Sequence, residues 1–267
     1  MLQNDITCIN TFIDEMNSDA HVVSMMNGPG NYIDAPISWQ QGGVSVEDAN
    51  LGNTDNVLPN NPCATQNDEI RLDLLQELLD PKPGEILLDV GCGTGIFTGS
   101  ILSSGAEVVG LDISIPMVAR AVNRFQGQRF SPLAGNMLSL PFASGSFDKV
   151  YSMTALEFVD NAQAAVAELQ RVTRTGGIIV LTTLNRLSPW AERRLKAGDE
   201  GHELFQSMVF RSPAEIRRLI PKGAKLKTAI HFMKNENPVR ARQIEAQSQA
   251  ENFETGAFLA VSWIKNY

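Results

Sequence analysis

Apolar residues are distributed differently before and after residue 65 of the 267-residue chain. The first 64 residues are rich in Asn, Gly, Asp and Pro and show only weak periodicity. From residue 65 onward, short apolar runs alternate with segments whose apolar residues recur at helical spacing. The sequence therefore predicts an N-terminal arm over residues 1–64 and a folded domain over residues 65–267. The arm is interpreted either as an acidic tail without fixed structure or as a lid that uses Tyr32 and Trp39.

The folded domain is predicted to alternate strands with helices. Strands are predicted at residues 85–90, 107–111, 130–134, 147–153 and 178–184, and helices at residues 70–79, 95–104, 114–125 and 160–174. Two more strands are predicted at residues 225–232 and 257–264, after a cap insertion over residues 185–211 that lies outside the core. This alternation is typical of a doubly wound α/β fold, in which helices cover both faces of a mainly parallel sheet.

Capping signals mark the ends of two helices. Asp160 and Gln163 have the spacing of a capping box, and Gly176-Gly177 is expected to end the helix that follows. Ser212-Pro213-Ala214-Glu215 has the same spacing with Pro in the first turn, so a short helix is predicted to begin there.

The acidic residues are concentrated at the N-terminus. The net charge is −8, and residues 1–70 contain ten acidic residues and no Lys or Arg. Such a protein is a poor candidate for binding nucleic acid. No apolar run approaches the ~18 residues of a membrane span and no secretory signal is present, so a cytoplasmic location without membrane attachment is expected. The three cysteines and three histidines are scattered, and no metal site is predicted.

A glycine-rich turn follows the first predicted strand, in the segment Asp89-Val90-Gly91-Cys92-Gly93-Thr94-Gly95. Its glycines allow a sharp turn and let backbone N–H groups approach a ligand. A dinucleotide-binding turn would have a third glycine at position 96, where this chain has Ile96. The Asp89 carboxylate would repel a pyrophosphate but suits the ammonium group of an amino acid. The turn therefore favours S-adenosylmethionine (SAM), which has an amino-acid tail and no phosphate, over NAD.

Polar residues also follow the next two predicted strands. Asp112 ends the second strand, where a carboxylate can accept hydrogen bonds from the ribose hydroxyls of an adenosine. Asn136 follows the third strand and can pair with the adenine edge, with Met137 as an apolar floor. NAD enzymes share the acid at the end of the second strand, so these residues predict an adenosine ligand without naming it.

The order of these motifs resembles the SAM-dependent methyltransferases of the "type 11" group, which includes ubiquinone/menaquinone C-methyltransferases and the malonyl-carrier O-methyltransferases of biotin synthesis. The resemblance covers about residues 70–185 and rests on Leu88-Asp89-Val90-Gly91-Cys92-Gly93-Thr94-Gly95, Gly110-Leu111-Asp112, Leu140-Pro141-Phe142, Phe147-Asp148 and Arg174-Thr175-Gly176-Gly177. It implies a Rossmann-like, seven-stranded class I methyltransferase fold with one antiparallel strand, and SAM as the cofactor.

The resemblance also implies which residues bind the cofactor. They are Asp89, Gly91, Cys92, Gly93, Gly95, Asp112, Ile113, Met117, Asn136, Met137, Met153 and Thr154. Met153 and Thr154 would line the methyl end of the site. Asn136 stands where the group commonly has Asp; Asn keeps the acceptor oxygen and adds a donor, so binding should survive. The Cys92 thiol is interpreted as packing.

Candidates for catalysis are weaker, because methyl transfer needs alignment and requires a base only when the nucleophile must lose a proton. Glu157 follows the fourth strand and is a candidate base or substrate ligand, or else an exposed carboxylate at a helix entry. His202, in the insertion, is a candidate base or an exposed loop histidine. His231 is interpreted as a hydrogen-bonded core histidine. A basic cluster surrounds Trp190 and could recognise a carboxylate, a phosphate or an acyl-carrier surface, or could be a solvated helix face; it consists of Arg186, Arg193, Arg194 and Lys196.

The leading prediction is an enzyme that transfers a methyl group from SAM to an O, N or C atom of a small-molecule acceptor, which could be anionic or carrier-bound. A catalytically silent SAM-binding regulatory subunit and an NAD-type oxidoreductase are the alternatives. The acceptor is left open by the sequence, as is the choice between a monomer and a homodimer.

Overall fold

The computed structural model describes residues 62–233 and 236–266 and contains a seven-stranded sheet. The strands are β1 (Ile86–Val90), β2 (Glu107–Asp112), β3 (Phe130–Ala134), β4 (Phe147–Ser152), β5 (Thr173–Leu184), β6 (Lys225–Ala229) and β7 (Phe258–Ile264). Their order is β3-β2-β1-β4-β5-β7-β6. The first five strands pair in parallel, and β7 is antiparallel to both of its neighbours. The predicted doubly wound fold with one antiparallel strand is confirmed.

Helices connect these strands along the chain. They are α1 (Pro62–Leu79), α2 (Thr98–Leu102), α3 (Ile115–Arg124), a 3₁₀ helix (Leu156–Phe158), α4 (Ala162–Val172), α5 (Pro189–Asp199), α6 (Glu203–Gln206), α7 (Pro213–Leu219) and α8 (Pro238–Ala250). Most of the predicted arm, including Tyr32 and Trp39, lies outside the described residues, whereas residues 62–64 already belong to α1. Within the described ranges, no helix combines the length and apolar character that crossing a membrane requires.

Both faces of the sheet are buried, as parallel sheets require. Successive side chains of a strand point to opposite faces. Leu87 and Tyr151 belong to a cluster that includes residues of α1 and α2, and Leu88 and Val150 belong to a second cluster that includes residues of α4. This packing explains why the first strand reads as a nearly continuous apolar run, and it fixes the strand ends that carry the candidate site.

Two capping predictions have opposite outcomes. The box at Ser212 and Glu215 is present, with each side chain accepting a backbone N–H of the other residue. The box at Asp160 is wrong, because α4 is capped by Asn161, whose Oδ1 accepts a hydrogen bond of 3.0 Å from the Ala164 N–H. Both Asp and Asn are good N-caps, so sequence alone gave no reason to place the cap one residue later.

The prediction that Gly176-Gly177 ends α4 is wrong. Helix α4 ends at Val172, and the glycine pair lies inside β5. The pairing of β4 with β5 shifts register between Phe147 and Lys149. A side chain at Gly177 would place its Cβ 2.4 Å from the Asp148 carbonyl oxygen. The pair therefore permits a close approach of two strands.

Helix α8 was not predicted, because its sequence has little amphipathic pattern. Its N-cap is Asn237, whose side chain accepts the N–H of Val239. The helix packs beside the end of β6, which stops at Ala229, three residues short of the predicted end. The His231 ring lies 3.1 Å from the Glu245 carboxylate of α8, which confirms it as a hydrogen-bonded core histidine.

The insertion at residues 185–211 forms α5 and α6 and has a small buried cluster that is separate from the two clusters covering the sheet. Its buried cluster consists of Leu184, Ala191, Leu204, Met208 and Phe210. Because Leu184 is the last residue of β5, the insertion is packed onto the carboxyl end of that strand.

Candidate active site

The glycine turn leaves the carboxyl end of β1, which lies between β2 and β4 in the sheet. Ligands of open α/β sheets bind at such switch points. Gly91, Gly93 and Gly95 have φ angles of +78°, +54° and +79°, a region that residues with a Cβ seldom adopt. The Gly91 N–H donates a hydrogen bond of 2.6 Å to the Leu111 carbonyl, so the turn is tied to the end of β2.

The surroundings of the three glycines differ. A Cβ added at Gly91 would lie 2.3 Å from the Cβ of Ala155, and one added at Gly95 would lie 2.4 Å from the Phe125 ring. A Cβ added at Gly93 would meet nothing within 4 Å. Two of the glycines are therefore needed for internal packing, whereas Gly93 borders open space in which a ligand can approach the backbone.

Asp112 connects this turn to the second strand-end motif. Its Oδ2 accepts a hydrogen bond of 2.8 Å from the Gly93 N–H, and its Oδ1 accepts one of 2.8 Å from the Ser114 N–H. Burial raises the pKa of Asp112, while these two N–H groups lower it. The side chain is half-buried, so its remaining lone pairs can still reach a ligand.

Asp89 lies beneath the turn and is only 2% exposed. The Thr98 hydroxyl donates a hydrogen bond of 2.7 Å to its Oδ2. Burial raises the pKa of Asp89 to about 7; the hydroxyls of Thr98 and Tyr151 oppose that rise, and the negative charge of Asp112 adds to it. A cation bound nearby would stabilise the ionised form of both acids.

The third motif follows β3 and is held in a tight loop. Asn136 Oδ1 accepts a hydrogen bond of 2.9 Å from the Leu138 N–H, and Met137 is buried against the core. The acceptor oxygen of Asn136 therefore already shapes the loop in this structure.

Two residues that the sequence analysis missed brace this loop from α4. Arg171 donates from Nη1 to the Phe142 carbonyl at 2.6 Å and from Nη2 to the Leu140 carbonyl at 2.9 Å. Glu168 accepts the Leu140 N–H at 2.7 Å and pairs with Arg171 at 2.6 Å. Their spacing of three residues on a helix was the available signal, but such pairs are common on exposed helix faces.

The residues predicted to line the methyl end follow β4. Met153 is 4% exposed, and Thr154 has φ = +49°, a left-handed conformation that is rare for a β-branched residue. The Thr154 N–H donates to the Thr182 hydroxyl of β5 at 3.0 Å. This segment lies directly beside the glycine turn, since a Cβ added at Gly91 would collide with Ala155.

Apolar residues also flank Asp112 at the start of α3. Ile113 is 37% exposed and Met117 is half-buried. The Cys92 thiol is buried, and burial is the main reason that its pKa is well above the ordinary value. The structure thus places the twelve predicted cofactor residues in four adjoining segments at the carboxyl edge of β1, β2, β3 and β4, although their contact with a cofactor stays a prediction.

Glu157 lies in the 3₁₀ helix and is completely buried, so its interpretation as an exposed carboxylate is wrong. Its Oε1 accepts a hydrogen bond of 2.7 Å from the Leu184 N–H. Its Oε2 has no hydrogen-bond partner within the described residues. Burial raises the pKa of Glu157 to about 7, while the Leu184 N–H and the positive charges of Arg211 and Arg194 oppose that rise.

Three arginines lie around Glu157, and each is 7% exposed; they are Arg71, Arg194 and Arg211. Arg211 donates to the carbonyls of Leu156 and Val159 at 2.7 Å and 2.5 Å. Arg71 and Arg211 were missed by the sequence analysis because neither belongs to a motif that carries chemistry.

The predicted basic cluster separates into two groups. Arg186, Arg193 and Lys196 are exposed, and Arg186 pairs with Glu215 at 3.0 Å. Arg194 instead points inward and lies 5.5 Å from the Trp190 ring. The interpretation as a solvated helix face fits the three exposed residues and does not fit Arg194.

His202 is the N-cap residue of α6, and its ring stacks on Phe205 with 4.2 Å between ring centroids. It is half-buried and not an exposed loop histidine. The described contacts of the Glu157 carboxylate involve Leu184 and the arginines and do not include His202.

Comparisons with known proteins agree with this geometry. A family model described as a methyltransferase domain matches residues 88–181. A demethylmenaquinone methyltransferase of Beutenbergia cavernae is 39% identical over 115 residues, which are 43% of this chain and 47% of the relative. A malonyl-[acyl-carrier protein] O-methyltransferase of Pectobacterium atrosepticum is 37% identical over 110 residues, which are 41% of this chain and 43% of the relative. The match thus spans less than half the length of either curated relative.

A solved structure supports the fold. Phosphoethanolamine N-methyltransferase 2 of Haemonchus contortus, in complex with S-adenosyl-L-methionine, matches with a TM-score of 0.58 at 16% identity, over 74% of this chain and 53% of that chain. At this identity the likeness shows the fold alone, which is the predicted class I methyltransferase fold. Over residues 88–181, the chain is therefore similar to a methyltransferase domain, and its strand-end motifs lie within the matched segment.

Proposed function

We propose that this protein is a SAM-dependent methyltransferase that acts on a small-molecule acceptor. The observation that carries the proposal is the open space above Gly93, bordered by the Asp112 carboxylate that accepts the Gly93 N–H. A backbone surface beside a half-buried acid suits the adenosine of a nucleoside ligand. The matched methyltransferase domain includes both residues.

The charges at this edge favour SAM over a dinucleotide. Asp89 and Asp112 are close enough that the charge of Asp112 raises the pKa of Asp89. SAM has an ammonium and a sulfonium group, either of which would relieve this repulsion. The pyrophosphate of NAD would add negative charge to the same region, and Ile96 stands where a dinucleotide turn has glycine.

When bound, SAM would supply a methyl group on a sulfonium, and the acceptor would attack the methyl carbon in line with the C–S bond that breaks, with S-adenosylhomocysteine as the leaving group. Asp112 and the backbone around Gly93 would bind the nucleoside part, and the loop with Asn136 would contact the adenine. The buried Met153 and the constrained Thr154 would line the methyl end, keep water away and fix the direction of attack.

Of the two catalytic candidates, Glu157 is the better supported. Its pKa of about 7 would allow it to exchange a proton near neutral pH. Its complete burial indicates that it acts as a positioning residue through the neighbouring arginines and does not touch the acceptor. His202 stays a candidate base for acceptors that must lose a proton.

The proposal is tested by incubating the protein with SAM that has a tritiated methyl group and with a cell extract separated by molecular mass. We expect label to appear in the low-mass fraction, and we expect Asp112→Ala to abolish its appearance. Label confined to macromolecules would contradict the small-molecule acceptor. Tight SAM binding without transfer to any fraction would instead indicate a silent SAM-binding subunit.

A further inference from the structure

We propose that the acceptor has a carboxylate group and that the Arg194 guanidinium binds it. This inference rests on the proposed function, because it assigns the acceptor's chemical class to the same site. Three features of Arg194 support it: its burial without a hydrogen bond among the described residues, the charged side chains around it, and its position relative to the methyl end of the site.

Arg194 is buried, and Glu157 is a carboxylate whose charge acts on it. Arg194 is 7% exposed, and the Cζ atom of its guanidinium lies 5.5 Å from the centroid of the Trp190 ring. Within the described ranges, its guanidinium makes no hydrogen bond or ion pair. An unpaired buried cation is costly, and a fixed planar fork of donors is suited to a carboxylate.

The neighbouring charges leave room for an anion. The pKa of Arg194 is lowered to about 10, mainly by burial and also by the positive charges of Arg71 and Arg193, while the charge of Glu157 opposes the decrease. Arg71 pairs with Asp68 at 3.5 Å, and Arg211 lies near the carboxylates of Glu157, Glu215 and Asp160. Among the described residues, Arg194 is influenced by the carboxylate of Glu157 and by the positive charges of Arg71 and Arg193. A ligand carboxylate would give Arg194 the direct ion pair that it lacks among the described residues.

Glu157 does not itself satisfy Arg194. Its Oε1 is engaged by the Leu184 N–H, and the two side chains form no ion pair. Because Glu157 is completely buried, it would hold the arginines in place, and the acceptor would contact Arg194.

The cluster lies at the edge of the sheet where the acceptor is expected. Glu157 follows β4 in the same short segment as Met153 and Thr154, and its partner Leu184 is the last residue of β5. Charge neutralisation by an arginine makes a carboxylate a poor nucleophile. We therefore assign the carboxylate as an anchor and expect another atom of the acceptor to receive the methyl group.

The experiment uses the full chain, tritiated SAM and the low-mass extract divided by anion exchange. We expect the acceptor in the retained fraction. Coupling the carboxylates of that fraction to an amine with carbodiimide should abolish labelling, whereas phosphatase treatment should not. An acceptor in the unretained fraction, or one destroyed only by phosphatase, would overturn the carboxylate assignment.

Two variants on one helix test the residue. Arg194→Gln should raise the KM for the retained fraction at least tenfold and leave SAM affinity unchanged, because the guanidinium would be lost from the acceptor site only. Arg193→Gln, the exposed neighbour, should behave like wild type. Equal behaviour of the two variants would refute the assignment. An increase in turnover in Arg194→Gln would also refute it, since it would indicate a carboxylate from the chain's own acidic N-terminal residues in place of an acceptor.

Thermal unfolding gives a test that needs no acceptor. Because Arg194 makes no hydrogen bond in the described protein, Arg194→Gln at pH 5, where Glu157 holds its proton, should melt at the wild-type temperature or above it. A melting temperature several degrees lower would show that Arg194 is structural and would overturn the inference. If the wild-type protein did not bind SAM, the proposed function itself would be refuted, so the two failures are distinguishable.

Discussion

The main-chain N–H of Gly93 donates a hydrogen bond of 2.8 Å to Oδ2 of Asp112, which joins the turn after β1 to the end of β2. The contact spans 19 positions of sequence and links the two motifs that identify the candidate cofactor site. It orients the acid predicted to bind a ribose, and it fixes the backbone beside the open space above Gly93. The two motifs therefore act as one unit.

The glycines of the turn provide a matched pair of variants. Gly93→Ala should reduce SAM affinity strongly while costing roughly 1–2 kcal/mol of folding stability, because the new Cβ enters the ligand space at a positive φ. Gly91→Ala should cost more stability, since its Cβ would lie 2.3 Å from Ala155. Calorimetric titration and urea unfolding measure the two effects. A Gly93→Ala protein that binds SAM normally would show that the open space is not the cofactor site.

The raised pKa of Asp89 predicts a pH-dependent stability. In the folded state the group holds its proton up to about pH 7, whereas the unfolded chain releases it near pH 4. Asp89 therefore lowers folding stability as the pH rises from about 4 to about 7. Asp89→Asn should be more stable than wild type at pH 8, by on the order of 1–4 kcal/mol, and should bind SAM more weakly.

Urea unfolding at pH 5 and pH 8 measures this difference, with the exposed Asp73→Asn as a control. The prediction fails if Asp89→Asn loses as much stability between these pH values as wild type does.

Arg171 is predicted to act on cofactor binding without touching the cofactor. Arg171→Met removes hydrogen bonds to the carbonyls of Leu140 and Phe142, which brace the loop with Asn136. We expect a stability loss of about 1–3 kcal/mol and a several-fold weaker SAM affinity. The exposed Arg218→Met should change neither quantity. Urea unfolding measures the stability of both variants, and calorimetric titration measures their SAM affinity. Unchanged SAM affinity in Arg171→Met would exclude a role for these hydrogen bonds in cofactor binding.

Two variants of Glu157 separate the contribution of its negative charge from that of its hydrogen bond with Leu184. Glu157→Gln can keep an oxygen to accept the Leu184 N–H, whereas Glu157→Ala removes it and leaves the surrounding arginines without this carboxylate. Both variants remove the negative charge, so we expect Glu157→Ala to lose about 3–5 kcal/mol of stability and Glu157→Gln, which keeps the hydrogen bond to Leu184, to lose about 1 kcal/mol less. Unfolding at pH 8 compares them, and equal losses would show that the Leu184 hydrogen bond contributes little.

The strands of the sheet could be predicted because each one is a short continuous segment with its own apolar pattern. A parallel strand buried on both faces is a short apolar run, and β3 matches its predicted bounds. Helix caps were less predictable, since Asp160 and Asn161 are both good caps. Helix α8 was missed because tertiary packing, including the contact of Glu245 with His231, stabilises a helix with little amphipathic pattern.

The candidate cofactor site was predictable for the same reason, since each motif lies at one strand end. The arginine cluster was not. Arg71, Glu157 and Arg194 come from α1, the 3₁₀ helix and α5, and only the folded chain shows that they share one region. No local pattern separated the inward-facing Arg194 from its exposed neighbour Arg193.

The most direct test of the account is calorimetric titration of the full chain with SAM, S-adenosylhomocysteine and NAD, using wild type and Asp112→Ala. The account predicts binding of the first two ligands to wild type, no detectable binding of NAD, and a loss of affinity in Asp112→Ala of tenfold or more. Tight binding of NAD without binding of SAM would contradict the proposed function and leave only the fold standing.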